Sequence, residues 1–355
     1  MSRFFSERFA ALIPYTPGEQ PKDTKYIKLN TNESPYPPSA ATVAAASAEA
    51  GRCELYSDPT CAVLTEKAAE YFGVGKENVI LTNGSDEVLN FAFMAFSDET
   101  HPIAFADITY GFYSVFAELN RIPYRTVALK DDLSIDPSDY IDTRENIVIA
   151  NPNAPTGIYM PLSDIEKIVA SDPDRVVIID EAYIDFGGES AVPLTKKYKN
   201  LLVTQTFSKS RSLAGARLGI GIGDASLIAD LNTIKYSTNP YNVNRMTAAA
   251  GYAALCDDEY YMNNAKEIAK NREFLKGELR ALGFECTDSK ANFVFAKSND
   301  IGGEELYLAL KARGILVRHF ERERISYYNR ITVGTREQCE CLVENIREIL
   351  KEKNA

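Results

Sequence analysis

Three short apolar runs, each followed directly by polar residues, constrain the fold of this 355-residue chain more than any other feature. The runs cover residues 147–150, 176–179 and 201–203, and they consist almost entirely of Val, Ile and Leu. Continuous apolar runs, unlike alternating ones, indicate strands that are buried on both faces. The sequence therefore predicts an α/β fold in which a mostly parallel sheet lies between layers of helices.

Chemically useful side chains follow each of these runs. Asn153 follows the first, Asp180 and Tyr183 follow the second, and Lys209 follows the third. Ligands of such sheets bind at the carboxyl ends of the strands, so we expect these side chains to meet at one edge. An aspartate after a buried run is, in isolation, more often a helix cap. Three strand ends that carry functional groups favour a shared site instead.

The segment of residues 204–219 holds Lys209 among hydroxyl residues, with Arg217 eight positions later. A lysine that is desolvated beside a buried strand can lose its proton and attack a carbonyl. Hydroxyls, loop amides and an arginine can together hold a phosphate. A lysine beside a phosphate site is what pyridoxal phosphate requires. Taken alone the segment is weak evidence, since a solvated loop lysine is the commoner case.

A second candidate phosphate site follows the apolar residues 79–82, where a glycine turn leads into a helical pattern. Gly84, Ser85 and Asp86 form this junction. Free amides and the helix dipole favour an anion there, although simple capping by Ser85 or Asp86 explains the pattern equally well. Tyr110, just past another predicted strand, could stack on a planar ring, though an exposed aromatic in a turn is commoner.

Composition narrows the possible partners. The formal net charge is −11 and the isoelectric point is about 5.0, which argues against nucleic acid or an anionic membrane. No apolar run approaches the length of a membrane span, and the N-terminus lacks a signal-peptide core. Six scattered cysteines fit free thiols in a cytoplasmic protein and offer no metal site. With two histidines, acid–base chemistry must rest mainly on Lys, Tyr, Asp or Glu.

The chain divides into three predicted regions. Residues 1–32 are turn-rich and are predicted to form an N-terminal arm. Residues 33–245 are predicted to form a large domain that binds the cofactor, and residues 246–355 are predicted to form a smaller α/β domain. The boundary is expected inside a long helix around residues 247–260. Residues 219–223 alternate glycine with isoleucine, which fits a strand better than a nucleotide loop.

Seven segments, in order along the chain, resemble the fold-type-I pyridoxal-phosphate-dependent aminotransferases. Within that family the resemblance is greatest to those that act on histidinol phosphate. Each segment is weak evidence by itself, but seven in order are specific for the fold and the cofactor. The segments are residues 29–35, 83–87, 110–111, 153–157, 180–183, 208–217 and 330–336.

The resemblance implies a role for each matching residue. Lys209 would bind the cofactor covalently and then move the substrate proton. Asp180 would keep the pyridine nitrogen protonated, Tyr183 would hydrogen-bond the ring oxygen, and Tyr110 would stack on the ring. Further cofactor contacts are implied for Gly84, Ser85, Asp86, Asn153, Thr206, Ser208, Arg217 and, from the neighbouring subunit of a homodimer, Tyr56. Substrate contacts are implied for Tyr15, Asn32, Arg318 and Arg336, with Arg336 as the anchor for phosphate and carboxylate.

Two departures from the family pattern affect this assignment. Ala154 stands where the wider superfamily has an asparagine, so the contact to the ring oxygen must come from Asn153, from Tyr183 or from neither. Leu55, Tyr56 and Ser57 replace the usual Arg-Tyr-Pro. Neither departure removes a reacting group.

The implied activity is transamination between histidinol phosphate and 2-oxoglutarate in histidine biosynthesis. A lyase resembling threonine-phosphate decarboxylase is the alternative from another reaction class, and an aromatic amino-acid aminotransferase is the alternative within the same class. A binding protein that has kept only the fold is disfavoured, because Asp180, Tyr183, Lys209 and Arg217 are all present.

Overall fold

The computed structural model describes residues 2–21 and 25–353. Its helices are α1 (Ala40–Ala50), α2 (Ala62–Phe72), α3 (Ser85–Phe96), α4 (Phe112–Asn120), α5 (Leu162–Ser171), α6 (Ala225–Thr238), α7 (Arg245–Cys256), α8 (Asp258–Ala281), α9 (Gly303–Ala312) and α10 (Arg336–Lys353). Its strands are β1 (Ile27–Lys28), β2 (Val79–Thr82), β3 (Ile103–Ala106), β4 (Tyr124–Val127), β5 (Asn146–Ala150), β6 (Val177–Asp180), β7 (Leu201–Thr206), β8 (Gly219–Gly223), β9 (Phe284–Cys286), β10 (Phe293–Ser298), β11 (Ile315–Leu316), β12 (Arg318–His319) and β13 (Tyr328–Thr332).

A seven-stranded sheet forms the centre of the large domain, in the order β2-β8-β7-β6-β5-β3-β4. β8 runs antiparallel to both of its neighbours, and all the other pairs are parallel. The predicted α/β fold with a mostly parallel sheet is therefore confirmed. The glycine-rich residues 219–223 form a strand of this sheet, as expected, and not a nucleotide loop.

The continuous apolar runs arise because alternate residues of one strand enter two different cores. Ile147 and Ile149 of β5 pack in a core that includes Leu64 of α2. Val148, between them, packs on the opposite face with Val88 of α3. Side chains alternate across a strand, so both sets must be apolar when helices cover both faces.

The register of the three predicted strands brings their carboxyl ends level. Ala150 at the end of β5 pairs with Asp180 of β6, and Asp180 pairs with Thr204 of β7. Polar groups that end these strands therefore emerge at one edge of the sheet.

The small domain is built on a four-stranded antiparallel sheet in the order β12-β13-β10-β9. Its core combines Val294 of β10 with residues of α8, α9 and α10, among them Leu342 and Ile346. β1 pairs in parallel with β11, so the end of the predicted arm is bound to this domain. The neighbouring short strands β11 and β12 belong to different sheets.

The helices between the two domains show where the chain passes from one hydrophobic core to the other. Ala250, Ala254 and Leu255 of α7 pack in the same core as Leu64, so α7 belongs to the large domain. Tyr261 of α8 is still part of that core, whereas α8 residues from Ala265 onward pack in the small-domain core. The change from one core to the other therefore occurs inside α8 rather than at residues 245–246. Within residues 2–21 and 25–353, no helix is long and apolar enough to cross a membrane.

Candidate active site

A cleft opens at the edge where the carboxyl ends of the strands meet. Its inner part is lined by residues that follow the strands of the large domain, and its outer part reaches β12 and β13 of the small domain. Tyr110, Ala154, Tyr183 and Lys209 line both parts. The sequence-predicted residues that line one or both parts are Tyr15, Asn32, Ser85, Asp86, Tyr110, Asp180, Tyr183, Thr206, Ser208, Lys209, Arg217 and Arg318.

Lys209 lies at the centre of this cleft, three residues beyond the end of β7. Its Nζ donates a hydrogen bond to the carbonyl of Thr31 at 3.2 Å and lies 5.8 Å from the centre of the Tyr183 ring. It forms no ion pair with a carboxylate of the described residues. A lysine held by a neutral carbonyl beside an aromatic ring is placed to react with a carbonyl group.

Asp180 is buried at the floor of the inner cleft, with 5% of its surface exposed. The hydroxyl of the fully buried Tyr113 donates to its Oδ2 at 2.8 Å, and the amide of Ala182 donates to its Oδ1 at 3.2 Å. Burial raises the pKa of Asp180 to about 6, against the hydrogen bond from Tyr113, which lowers it. Asp180 forms no ion pair with a lysine or arginine of the described chain, so its carboxylate is free to receive a proton-bearing cationic group.

Tyr113 is a contributor that the sequence analysis missed. It lies on α4, three residues after Tyr110, so one helical turn brings both tyrosines to the site. This spacing could have indicated that Tyr113 contributes to the site, but a tyrosine in an apolar helix pattern is ordinarily a core residue. Tyr113 is one too, packing edge-on against Phe105 at 5.8 Å while its hydroxyl reaches Asp180.

The start of α3 and the loop after β7 form an anion cradle. Gly84, with a φ of 79°, leads into α3 and leaves room for the guanidinium of Arg217, which would lie 2.5 Å from a Cβ at position 84. Arg217 donates to Ser208 Oγ at 3.2 Å and to Asp86 Oδ2 at 3.1 Å. The hydroxyl of Thr206 accepts from the amide of Ser208 at 3.1 Å. Helix amides, hydroxyls and an arginine converge here as a phosphate group requires.

Gly219 makes this cradle sterically possible. A Cβ at residue 219 would lie 2.3 Å from the carbonyl carbon of Gly84 and 2.3 Å from the amide nitrogen of Ser85. Only a glycine lets β8 approach the first residue of α3 so closely. The alternating glycines of β8 thus have a structural reason that the sequence pattern alone did not reveal.

Tyr110 and Asp86 are bound to each other at the mouth of the cradle. The Tyr110 hydroxyl donates to Asp86 Oδ1 at 2.7 Å, while Asp86 Oδ2 pairs with Arg217. Burial, followed by the charge of Asp86, raises the pKa of Tyr110 well above its usual range. The phenol therefore remains neutral, and its ring presents an uncharged face to the cleft.

Asn153, which is predicted to contact the cofactor, does not line the cleft. Its side chain is buried, and its hydrogen bonds go to its own loop and to the loop that follows β3. Its Oδ1 accepts from the hydroxyl of Thr109 at 2.8 Å, and its Nδ2 donates to the carbonyl of Ile108 and to the hydroxyl of Thr156. Ala154 lines the cleft in its place and offers no polar side-chain atom.

The outer cleft contains three arginines from the small domain, Arg318, Arg322 and Arg330, and Arg322 donates to the carbonyl of Asp107. Arg330 of β13 donates from Nη2 to the carbonyl of Asn30 at 2.9 Å, and its buried Nε has no hydrogen-bond partner among the described residues. Arg318 of β12 lines the same space and forms no ion pair with a described carboxylate. Burial lowers the pKa of Arg330 from its usual value, but an arginine remains charged throughout the range in which proteins fold. This part of the cleft is a site for an anion.

Arg336, which is predicted to be the substrate anchor, does not line the cleft. Its guanidinium lies 3.8 Å from the centre of the Phe274 ring, on the α8 side of the small domain. Packing on an aromatic face, rather than a carboxylate, stabilises this cation at the start of α10.

The residue that was overlooked is Arg330. Alternation along β13 could have revealed it: Ile331 and Val333 enter the small-domain core, so Arg330 and Thr332 face the other way.

Tyr15 lies at the cleft of its own chain, whereas Tyr56 lies outside it. Tyr15 lines the outer cleft, where it stacks on Phe112 with ring centres 4.4 Å apart. Tyr56 is 81% exposed and stacks on Tyr241 at 4.7 Å, and it does not line the cleft of its own chain. Whether it serves a neighbouring subunit remains a prediction.

Family comparison agrees with this geometry. Residues 24–346 match the model of the family "Aminotransferase class I and II", and the chain belongs to that family. It is 48% identical over 353 residues to the histidinol-phosphate aminotransferase of Brachyspira hyodysenteriae, covering 99% of this chain and 100% of that protein. It is 47% identical over 351 residues to that of Clostridium acetobutylicum, again covering 99% of this chain and all of the relative.

Solved structures show the same fold. The histidinol-phosphate aminotransferase of Sinorhizobium meliloti, crystallised with pyridoxal-5'-phosphate, superposes with a TM-score of 0.84 at 22% identity, covering 92% of each chain. The enzyme from Clostridium acetobutylicum also gives a TM-score of 0.84 at 22% identity, covering 92% of this chain and 99% of that one. The predicted resemblance to this class of aminotransferases is thereby confirmed.

Pyridoxal 5'-phosphate is the cofactor of this aminotransferase, and the residues of the cleft fit it. The cradle around Gly84 and Arg217 suits its phosphate, the unpaired carboxylate of Asp180 suits a protonated ring nitrogen, and Lys209 suits its aldehyde. These three features are spaced along one cleft, and the neutral ring of Tyr110 lines it between them.

The raised pKa of Asp180 predicts how the stability of the cofactor-free protein depends on pH. Its folded pKa of about 6 lies above its ordinary value of 3.8, so its stabilising contribution is present at low pH and is lost as the pH rises through 6. Asp180→Asn should therefore stabilise the cofactor-free protein at pH 8, by on the order of 2–3 kcal/mol, and by about half as much at pH 5. The Tyr113 hydroxyl can reverse and accept from the new amide.

Denaturant unfolding of both cofactor-free proteins at the two pH values measures this effect. Glu181, whose pKa burial raises to about 7, titrates in both proteins, so its contribution cancels in the difference. A variant that is less stable than the parent protein at pH 8 would contradict the account of Asp180.

Proposed function

We propose that this aminotransferase transfers the amino group of histidinol phosphate to 2-oxoglutarate, as a step in histidine biosynthesis. The observation that carries the proposal is the pair of arginines, Arg318 and Arg330, that face the outer cleft beside Lys209 without a carboxylate partner among the described residues. The names of the relatives that match this chain along its whole length support the same substrate. A cytoplasmic location is part of the proposal.

One anion site can serve both half-reactions. Histidinol phosphate brings a phosphate and glutamate brings a carboxylate, and a planar guanidinium can bind either group through two parallel hydrogen bonds. The free Nε of Arg330 supplies one such donor. Tyr15, Tyr110 and Phe320 form the aromatic side of the outer cleft, which suits a planar imidazole.

The residues of the inner cleft would then divide the chemistry among themselves. Lys209 would take the proton from the substrate carbon and return it at the neighbouring position. Asp180 would hold a proton on the pyridine nitrogen, and the cradle around Arg217 would fix the phosphate. When bound, the cofactor supplies an electron sink for the carbanion that this proton transfer leaves.

Two alternatives remain for the test to decide. The L-threonine-O-3-phosphate decarboxylase of Porphyromonas gingivalis shares the fold, with a TM-score of 0.79 at 18% identity, and a phosphorylated amine would suit the same arginines. An aromatic amino-acid aminotransferase would use the aromatic residues of the outer cleft and present a carboxylate to Arg330.

A substrate panel distinguishes these activities. The protein loaded with pyridoxal phosphate is supplied with 2-oxoglutarate and, in turn, histidinol phosphate, histidinol, threonine phosphate and phenylalanine. Formation of glutamate should be fastest with histidinol phosphate, and histidinol should be a poor substrate because it lacks the anion. Release of CO₂ from threonine phosphate, or preference for phenylalanine, would overturn the proposal in favour of the corresponding alternative.

Arg330 and Arg336 provide a matched pair for testing the anion site. Arg330→Lys keeps the charge but loses the planar fork, so it should raise KM for both histidinol phosphate and glutamate about ten- to a hundredfold. Arg336→Lys makes the same chemical change on the α8 side of the small domain and should leave both KM values unchanged. Steady-state kinetics with each substrate measure the effect. A larger loss in Arg336→Lys than in Arg330→Lys would restore the original assignment.

The homodimer is also part of the proposal. Tyr56 and the neighbouring Leu55 are exposed, at 81% and 53%, and Tyr56 stacks on Tyr241, so this apolar surface is available to a second copy. Tyr56 would then contact the cofactor phosphate bound by the partner.

Mixing two inactive variants tests this arrangement. A hybrid of Tyr56→Ala with Lys209→Ala contains one intact site, so free exchange of subunits should restore about a quarter of the parent activity. The activity of each variant alone provides the baseline. No recovery after exchange has been verified would place Tyr56 outside the site.

A further inference from the structure

Among residues 2–21 and 25–353, Tyr183 has one side-chain hydrogen bond, which comes from the N-terminal segment. The Nδ2 of Asn32 lies 2.9 Å from the Tyr183 hydroxyl. Tyr183 lines both parts of the cleft, between Lys209 and the outer arginines. A phenol can donate one proton, so the direction of its bond with Asn32 decides whether that proton is available to the cleft.

Thr332 fixes that direction. The Thr332 hydroxyl accepts from the backbone amide of Asn32 at 3.0 Å, and its own proton goes to Asn32 Oδ1 at 2.9 Å. The amide oxygen of Asn32 is thereby held toward Thr332, and the amide nitrogen must face Tyr183. The nitrogen can only donate, so the Tyr183 oxygen accepts and its proton stays unused. The reverse orientation of the Asn32 amide would consume that proton.

The backbone of Asn32 is held firmly in place. Its φ of 58° lies in the left-handed region, which asparagine tolerates better than most residues. Its carbonyl accepts from Asn292 at 3.0 Å, and the carbonyl of the preceding Thr31 accepts from Lys209. Asn32 and Thr332 are both about 97% buried or more, so water does not compete for these bonds. The pair therefore joins the small-domain strand β13 to the reacting end of the cleft.

The direction of the Tyr183 hydrogen bond matters because Ala154 cannot donate a hydrogen bond from its side chain. Ala154 lines the cleft but has no polar side-chain group, and the Asn153 amide is bound to Ile108 and Thr109 of the loop that follows β3. Tyr183 is then the remaining side chain of the three that were considered for the contact to the cofactor ring oxygen. Its ability to donate a hydrogen bond depends on the unused proton.

We propose that Asn32 and Thr332 act as positioning residues that direct the Tyr183 proton into the cleft, and that this replaces the amide that Ala154 lacks. The proposal rests on the proposed function, because it takes the ring oxygen of bound pyridoxal phosphate as the acceptor. It reassigns Asn32, which the sequence analysis placed with the substrate-binding residues, to a role exerted through Tyr183.

Thr332→Val is the sharpest test, because it is nearly isosteric and changes no atom that lines the cleft. It releases the Asn32 amide to adopt either orientation. A donated proton stabilises the ionised ring oxygen, so its loss should raise the pH midpoint of the visible absorption change of bound pyridoxal phosphate by about half to one unit. The dissociation constant of the cofactor should rise about three- to tenfold.

Asn32→Gly extends the test, since glycine adopts the same backbone conformation and removes the donor entirely. The shift of the pH midpoint in Asn32→Gly should equal or exceed the shift in Thr332→Val. Adding Ala154→Asn to either variant should return the midpoint toward the parent value, which a purely structural role of Asn32 would not produce. Lys209, Arg330, Tyr15 and Tyr113, the titratable groups that face Tyr183, are unchanged in every variant.

Asn329→Ala serves as the control, because Asn329 is equally buried on β13 but donates to the carbonyl of Gly303, away from the cleft. It should leave the midpoint unchanged. Parent-like midpoints in both Thr332→Val and Asn32→Gly would overturn the inference, as would a shift that Ala154→Asn fails to reduce. Failure of the parent protein to bind pyridoxal phosphate or to transaminate would instead overturn the proposed function.

Discussion

Burial of the central strands on both faces is the constraint on which this structure depends. Val148 and its neighbours Ile147 and Ile149 belong to different cores, so no polar side chain can be placed along these strands without disrupting one of them. Functional groups are therefore confined to the strand ends. The parallel register brings Ala150, Asp180 and Thr204 level, and this alignment turns three separate strand ends into one site.

The same burial explains the electrostatic character of the site. Asp180 lies at the end of a buried strand, where burial raises its pKa to about 6 and disfavours its charge. The hydrogen bond from Tyr113 opposes this effect only in part. The folded protein therefore contains a carboxylate whose charge is fully compensated only when a cationic group enters the cleft. A buried carboxylate of this kind lowers the stability of the cofactor-free protein, and it provides the charge on which the function depends.

The sequence predicted the large domain well, because its signals are local. The strand, glycine turn and helix around Gly84 occur where the apolar run and the turn residues placed them. Lys209 and Asp180 were found because they follow buried runs directly. Asn153 follows such a run too, yet its amide bonds to Thr109 and Thr156, contacts that depend on how the loop folds back.

The errors and omissions concern contacts between distant parts of the chain. Arg330 and Arg336 lie six residues apart in one motif, and only the packing of β13 shows which of them faces the cleft. The contacts of Asn32 with Tyr183 and Thr332 span 151 and 300 residues, beyond the reach of any local pattern. The packing of α7 against α1 and α2, which assigns it to the large-domain core, likewise depends on contacts between segments far apart in the sequence.

The central claim is that the strand ends converge on Lys209 as the residue that binds the cofactor. The protein loaded with pyridoxal phosphate can be reduced with borohydride, digested and examined by mass spectrometry, with Lys209→Ala treated in parallel. The account predicts that the mass of the reduced cofactor appears on the peptide that contains Lys209, and that no peptide of the Lys209→Ala protein carries it. Label on another lysine of the parent protein, or undiminished label in the variant, would contradict the account.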